Sequence, residues 1–387
     1  MTRKIRYGAA GVHVPPLEMH QGLARMYEQA GFDFMIWADQ TSMTIPRGIW
    51  TPDLVPSAAS FDIDSSMDPW LLTCTAATAT KKIDLGITAV DAIRRLPGNI
   101  AQLSLSMSHI SKGRFFLVMG AGEIKQFEPF GIARNKPFTH LEESMRIVRM
   151  LWDAEGPVSY DGPIWKLHNA VMPMMPYGGV APKLMVAGGP GKAFEIIGKY
   201  GDGWCTYLPT CGDPEWYARE VKALREETEK NGRDPDQLTF YILCMCVIDE
   251  TDEAVEKWTH HPVLRWDAAA LVSGGDAFGS WGYKNPLGDD WNYSSMLVPM
   301  DYSREQALAI ADRVPPGAVR RARACGTPLQ VAKELQPYIE AGANAVNIVN
   351  YATLLASANF GDAEHKQSMV SETINHLRGF NGQPVVS

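Results

Sequence analysis

Short, almost wholly apolar runs alternate along this chain with longer stretches in which apolar residues return every three or four positions. That is the rhythm of strands and amphipathic helices wound around a parallel sheet. Ile5 to Ala10 reads as the first strand, and the helical period through Leu17, Leu23, Met26 and Ala30 ends at Gly31, a residue suited to a left-handed cap. Phe32 to Ala38 is the second strand, apolar on both faces as a covered strand should be, and it ends on Asp39-Gln40. Further strands are predicted at Ile83 to Val90, Phe115 to Met119, Leu184 to Ala187, Trp204 to Tyr207, Leu238 to Val247 and Ala343 to Asn350. Helices are predicted from Pro69, Pro97, Leu141, Ala193, Pro214 and Pro328, with a closing helix around Glu372 to Leu377. The fold class expected is α/β, with a βα count consistent with most of a (β/α)8 TIM barrel forming one domain over residues 1–387.

Two stretches break the rhythm. Residues 41–66 are rich in proline and small polar residues around bulky Ile45, Trp50 and Phe61, and read as a lid-like loop over the end of the second strand. Residues 258–324 set Trp266, Phe278, Trp281, Tyr283, Trp291 and Tyr293 among Gly, Asp, Asn and Ser, an aromatic-rich insertion suited to packing over a site. The Met-rich connection with Met172, Met174 and Met175 is expected to line the same mouth and to favour a bulky, apolar substrate.

A 387-residue chain with 45% apolar and 21% charged residues has ample material for a large core. Its net charge of −8 argues against a nucleic-acid partner, and no apolar run is long enough for an integral membrane segment. The opening Met1-Thr-Arg-Lys lacks the apolar core of a secretory signal, so the expected location is cytoplasmic. The six cysteines lack C-x-x-C spacing and read as free thiols, with no metal site.

In a barrel of this kind the chemistry lies at the carboxyl ends of the strands. Asp39 and Gln40, Thr88 to Asp91, Gly120 to Glu123, and Gly188 to Lys192 all fall there. Gly188-Gly189-Pro190-Gly191-Lys192 joins a strand to a helix, so its backbone N–H groups and the helix dipole favour an anion such as a phosphate. Asp39, Asp91 and Glu123 supply acidic groups to the same mouth, although Asp91 also has Arg94 and Arg95 within reach as partners. His13 follows the first strand and is the histidine best placed to reach the mouth.

Trp37-Ala-Asp-Gln40, Leu85-Gly-Ile-Thr-Ala-Val-Asp91, Arg95-Leu-Pro-Gly-Asn-Ile-Ala-Gln102, Gly113-Arg-Phe-Phe-Leu-Val-Met-Gly-Ala-Gly-Glu123 and Pro182 to Trp204, in this order, resemble the luciferase-like superfamily. More narrowly they resemble its branch dependent on coenzyme F420. Within that branch, Ile45-Pro-Arg47, Leu167-His-Asn-Ala170 and Asn285-Pro-Leu-Gly288 are similar to the phthiodiolone ketoreductase-like group. The resemblance implies a barrel, often a homodimer, with the deazaflavin across the strand ends and its phosphate at Gly188, Gly189, Gly191 and Lys192. It further implies coenzyme contacts at Asp39, Thr88, Ala89, Asp91, Ala121, Gly122 and Gln126, a non-proline cis peptide at Thr88-Ala89, and a proton-managing role for Glu123.

Gln40 departs from the pattern, because relatives of this branch carry a histidine there that exchanges a proton with the substrate oxygen. An amide can polarise a carbonyl but cannot titrate near neutrality. Either another group takes over that role, with His13 and Asp91 best placed in the sequence order, or the reaction needs no such proton. The positions that hold a sugar phosphate in glucose-6-phosphate dehydrogenases of the same coenzyme are unmatched as well, since Tyr207 and its neighbours carry no cation. The function implied is hydride transfer between the deazaflavin and a bulky, mainly apolar carbonyl, alcohol or activated alkene, a small-molecule substrate. The alternatives are an FMN-dependent monooxygenase served by a separate reductase and a non-catalytic cofactor-binding relative.

Overall fold

In the computed structural model, which describes residues 4–272, 275–356 and 360–386, eight strands close into a parallel barrel. They are β1 (Arg6–Ala10), β2 (Phe34–Trp37), β3 (Asp84–Asp91), β4 (Phe115–Gly120), β5 (Lys183–Ala187), β6 (Gly203–Tyr207), β7 (Thr239–Ile248) and β8 (Ala345–Asn350). Neighbours pair in sequence order, β8 returns to β1, and the β7 pairings with β6 and β8 complete the ring. All eight match predicted strands to within a few residues. A ninth short strand, Ala324–Gly326, adds to the end of β7 and was not predicted, being too short to show a period.

Large inward-facing side chains close the lower part of the barrel. Phe34 meets Phe116 and Tyr241 edge to face, with ring centroids 5.9 and 5.6 Å apart. These rings fit because Gly8 and Gly86 offer no side chain: a Cβ on either would stand 2.3 Å from a phenyl carbon. The outer faces of the strands pack against the surrounding helices in one continuous core that includes Trp37, Leu85, Leu117, Ile196 and Trp204.

β3 carries a register shift between Ile87 and Val90, and the Thr88–Ala89 peptide within it is cis, as the resemblance implied. The stretch after the helix Pro137–Asp153 forms an antiparallel hairpin, Val158–Asp161 with Lys166–Ala170, which was not predicted. His168 sits exposed on this hairpin beside Asn169, on the outside of the molecule.

The Met-rich connection lies at the other end of the barrel from the expected mouth. Met175 and Tyr177 dock on His109 and Ser108 at the C-terminal end of the helix Pro97–Ser111, as a segment leading into the start of β5 must. Met174 and Met175 are exposed there and do not line the mouth.

The two insertions form a second core with each other. Ile45, Ile49, Trp50, Val55 and Ile63 from the first pack with Val263, Trp266, Phe278, Trp291 and Leu297 from the second, and with Val247 and Tyr351 at the ends of β7 and β8. Residues 273–274 of the second insertion lie outside the described residues. The indole of Trp266 donates to Thr44 O at 2.9 Å, and Arg304 bonds to Asp53 and Thr51. The segment expected as a lid is thus pinned into a roof.

Candidate functional site

Above the aromatic plug, the inward-facing positions are small or only half-buried although they stand at the centre of the fold. Ala10, Ala89, Gly120, Ala187, Tyr207, Leu243, Met245 and Val349 all retain some exposure. The carboxyl end of the barrel is therefore a recess, its floor made by alanine and glycine and one side of its rim by the roof. Gly120 pairs with Asp91 across the β3–β4 ladder, and Gly188 and Glu123 leave adjacent strands at the same end. The glycine turn and the acidic residues open onto one mouth, as the sequence required.

Asp39 stands there almost completely buried, but its carboxylate is engaged by the protein. It accepts from Arg94 at 2.7 Å and from Arg95 at 2.6 and 3.0 Å, and Arg95 also reaches Asp68. The arginines that sequence proximity offered to Asp91 bind Asp39 instead. Asp91 accepts backbone N–H bonds from Ile93 (2.7 Å) and Arg94 (3.2 Å) through Oδ1, while its buried Oδ2 has no partner. Burial raises its pKa to about 6, against those N–H bonds and the charge of Arg94, which lower it.

Glu123 pairs at 2.5 Å with Lys125, whose side chain is fully buried, and Tyr293 from the second insertion faces this carboxylate. Gln126 is occupied: its Oε1 accepts from Thr41 N (2.6 Å) and Thr41 Oγ1 (2.9 Å) and its amide donates to Ser42 O. It fixes the chain just beyond Gln40, whose own buried Oε1 has no partner. His13 is tied through Nε2 to the backbone of Ala38, and burial lowers its pKa to about 4. Neutral at pH 7 and engaged with the exit of β2, it is poorly suited to donate a proton.

Lys192 turns outward to Glu195 (2.8 Å) and Glu142 (3.5 Å), so its charge is shared along the helix surface. The turn before it stays open: a Cβ at Gly189 or Gly191 would meet nothing within 4 Å, and Gly191 has φ +85°. Backbone N–H groups are what this corner offers an anion.

Sequence reading missed the roof's contribution. Tyr207 ends β6 on the inward face, and the guanidinium of Arg323 lies beside its hydroxyl. Arg323 is fully buried, stands over the ring of Tyr351 with 4.1 Å from its Cζ to the ring centroid, and forms an ion pair with the equally buried Asp267, which accepts from Thr44 Oγ1 at 3.1 Å. The sequence neighbours of Tyr207 carry no cation, as read, but Arg323 arrives beside it from a distant part of the chain. Its one signal was the last arginine of Arg320-Arg321-Ala322-Arg323, set immediately before the apolar Ala324-Cys325-Gly326. Asp267 balances it, so no net positive charge is presented to a phosphate.

Among the described residues no three His, Cys, Asp or Glu side chains gather as a metal site, and no helix is long and apolar enough to cross a membrane. The six cysteines form no disulfide.

Comparison with known proteins agrees with this architecture. The chain is 28% identical over 324 residues to the phthiodiolone/phenolphthiodiolone dimycocerosates ketoreductase of Mycobacterium bovis (strain BCG / Pasteur 1173P2), covering 83% of this chain and 84% of the relative. The fold is similar to that of an F420-dependent secondary alcohol dehydrogenase in complex with an F420-acetone adduct (TM-score 0.70, 20% identity, 96% of this chain and 99% of that one). It is also similar to the FMN-bound oxygenating constituent of 3,6-diketocamphane monooxygenase from the CAM plasmid of Pseudomonas putida (TM-score 0.63, 18% identity, 96% and 97%). The family model described as luciferase-like monooxygenase matches residues 3–345, and the chain belongs to that family of oxidoreductases.

Proposed function

We propose that this protein is a coenzyme F420-dependent oxidoreductase that moves a hydride between the deazaflavin and a neutral, mainly apolar ketone, its alcohol, or an activated alkene. The observation that carries the reading is the recess itself, an alanine and glycine floor beside an open glycine turn, in a chain similar over 83% of its length to a ketoreductase. The residues present fit such a group. The Cβ position of Gly120 has only Ala89 Cβ near it, at 3.4 Å, and Gln40 Oε1 and Asp91 Oδ2 are buried polar atoms without partners.

Ala89, Gly120, Ala121 and Gly122 would carry the ring, with Thr88 and Asp91 at its edge. Gly189 and Gly191 would take the phosphate through backbone N–H groups, the Gly188 N–H being given to Cys205 O at 3.3 Å, and Lys192 would add charge from outside the turn. When bound, the deazaflavin supplies hydride chemistry. The protein's part is to orient, to exclude water beneath the roof, and to manage protons. Glu123, held by Lys125, is the carboxylate proposed to act beside the ring, and the amide of Gln40 polarises the substrate oxygen. Asp39 and Gln126 act by fixing Arg94, Arg95 and residues 41–42. We further infer a cytoplasmic homodimer, a reading supported by the resemblance and by Leu71 and Leu96, which stand 63% and 52% exposed at the starts of neighbouring helices.

Fluorescence titration with the deazaflavin and with FMN tests the cofactor. Submicromolar deazaflavin affinity and oxidation of its reduced form by a panel of ketones are expected. The FMN-bound structural neighbour makes an FMN monooxygenase the second reading, and tight FMN binding with no deazaflavin affinity would establish it in place of the first.

A further inference from the structure

Hydride addition to a ketone leaves an alkoxide that needs a proton, and Gln40 has none to give near neutral pH. Around the mouth, His13 is neutral and tied to Ala38, the Glu123 carboxylate is paired with Lys125, and Asp91, with a pKa of about 6, is mostly ionised at pH 7. Two tyrosine hydroxyls, Tyr207 and Tyr293, keep their protons at that pH, burial raising the pKa of each. They differ in what stands beside them. Tyr293 faces the carboxylate of Glu123, which disfavours a phenolate, whereas Tyr207 faces the guanidinium of Arg323, which favours one.

Geometry supports the same choice. Tyr207 shares the inward face of β6 with Cys205 of the barrel interior, stays half-buried, and belongs to none of the hydrophobic cores, so its side chain stands in the recess. The helix Pro316–Ala322, which leads into Arg323, packs on the turn Leu208–Thr210 directly after it. Arg323 is held in turn by Asp267 and the Tyr351 ring, and Asp267 by Thr44. The cation is thus fixed behind the phenol without offering the recess a free positive charge.

We propose that Tyr207 is a catalytic residue that seats the substrate carbonyl oxygen and transfers its phenolic proton to it, with Arg323 as the positioning residue that stabilises the phenolate. This rests on the reading of the protein as a deazaflavin-dependent carbonyl reductase. As the carbonyl carbon accepts hydride from the reduced deazaflavin, the C=O π bond opens, and the oxygen takes the proton of Tyr207. The products are the alcohol and a Tyr207 phenolate that regains its proton from water. The substrate gains two electrons, which the deazaflavin loses.

The test is Tyr207→Phe, a change that keeps the ring and removes one hydroxyl. Three measurements are made: deazaflavin binding by fluorescence, calorimetric binding of a non-reducible apolar amide, a neutral oxygen acceptor, to the cofactor-free protein, and turnover of a ketone as a function of pH. The expected result is deazaflavin affinity within twofold of wild type, amide affinity reduced about tenfold, and kcat reduced roughly 10²- to 10⁴-fold. Arg323→Lys should restore more of the ketone rate than Arg323→Gln and shift the alkaline limb of its pH profile. Unchanged amide binding and unchanged kcat in Tyr207→Phe overturn the assignment. A wild type that binds no deazaflavin overturns the cofactor reading instead, while the amide titration still decides whether Tyr207 seats an oxygen.

Discussion

Replacing Asp91 by asparagine should make the protein more stable above neutral pH, with the gain falling to about a third at pH 4.5 and vanishing below the unfolded pKa of 3.8. Asp91 is 4% exposed and its pKa in the folded chain is raised from 3.8 to about 6, chiefly by burial. A carboxyl whose folded pKa lies above the unfolded one contributes its full stability below the unfolded pKa, and that contribution is lost as pH climbs through the folded value. At pH 8 the folded protein holds an ionised carboxylate that would prefer water, at a cost of ~3 kcal/mol from ~1.36 kcal/mol per pKa unit. Asparagine keeps the Oδ1 that accepts from Ile93 and Arg94 and carries no charge. With ~2.1 cal/mol/K of unfolding entropy per residue, a chain of this length has ~0.8 kcal/mol/K, so the gain corresponds to about 3–4 °C in Tm. Scanning fluorimetry of both proteins at pH 8 and pH 4.5, at one scan rate, reads the difference. A variant that melts at the wild-type temperature at pH 8, or that gains equally at both pH values, refutes the account of Asp91 as a desolvated, partly orphaned acid.

Other changes probe other parts of the mouth. Asp39→Asn leaves Arg94 and Arg95 facing an uncharged amide in a nearly closed site, and should cost roughly 2–4 kcal/mol, or about 3–5 °C in the same assay. Gly120→Val places a branched side chain on the floor against Ala89, and should weaken deazaflavin binding at least about 100-fold (~2.7 kcal/mol) while moving Tm by less than about 2 °C, as read by fluorescence titration and melting. Trp266→Phe removes the N–H that Thr44 O accepts beneath the roof, and should cost ~1–3 kcal/mol. Hydrogen exchange should then rise in 41–66 and 258–272 together, because the two segments share one core; a rise confined to one of them would contradict that.

The barrel was legible because each of its strands is an apolar run bounded by turn residues and followed by an amphipathic helix. Strand order then follows from the rule that a βα unit places each new strand beside the last. Knowing the strands locates their carboxyl ends, which is why Asp39, Asp91, Gly120 to Glu123 and Gly188 to Lys192 could be brought to one mouth from sequence alone. The Met-rich connection was misplaced by neglect of the same rule: a segment between a helix and the next strand lies at the amino end of the barrel. The partnership of the two insertions had no periodic signal, since irregular segments more than two hundred residues apart are matched by shape, as Trp266 and Thr44 are. Arg94 and Arg95 show the limit of proximity along the chain. They are near Asp91 in sequence, but their long side chains reach across to Asp39, and the short Asp91 carboxyl folds back onto the N–H groups that follow it.

The charges at the mouth follow one logic that bears on the substrate. Asp39 is matched by Arg94 and Arg95, Glu123 by Lys125, Arg323 by Asp267, and Lys192 by Glu142 and Glu195. Each of these charges is held by a partner within the protein, and taking a charged ligand against one of them would mean separating a pair in a poorly solvated place; Arg134, which donates to Gly122 O at 3.4 Å and Ser294 Oγ at 3.5 Å, forms no ion pair among the described residues. What remains for a ligand is the amide of Gln40, the protonatable Asp91, the Tyr207 hydroxyl, Arg134 at the Gly122 side, backbone N–H groups at the glycine turn, and a floor of alanine and glycine. On the proposed reading, a recess furnished in this way suits a neutral molecule held through one or two oxygen contacts and apolar area, with anion binding assigned to the turn, away from the reacting end. Carboxylate-bearing ketones should therefore be turned over at least about tenfold less efficiently in kcat/KM than their neutral esters of equal length, and equal efficiency for the two would mean that one of the internal pairs opens, or that Arg134 receives the carboxylate.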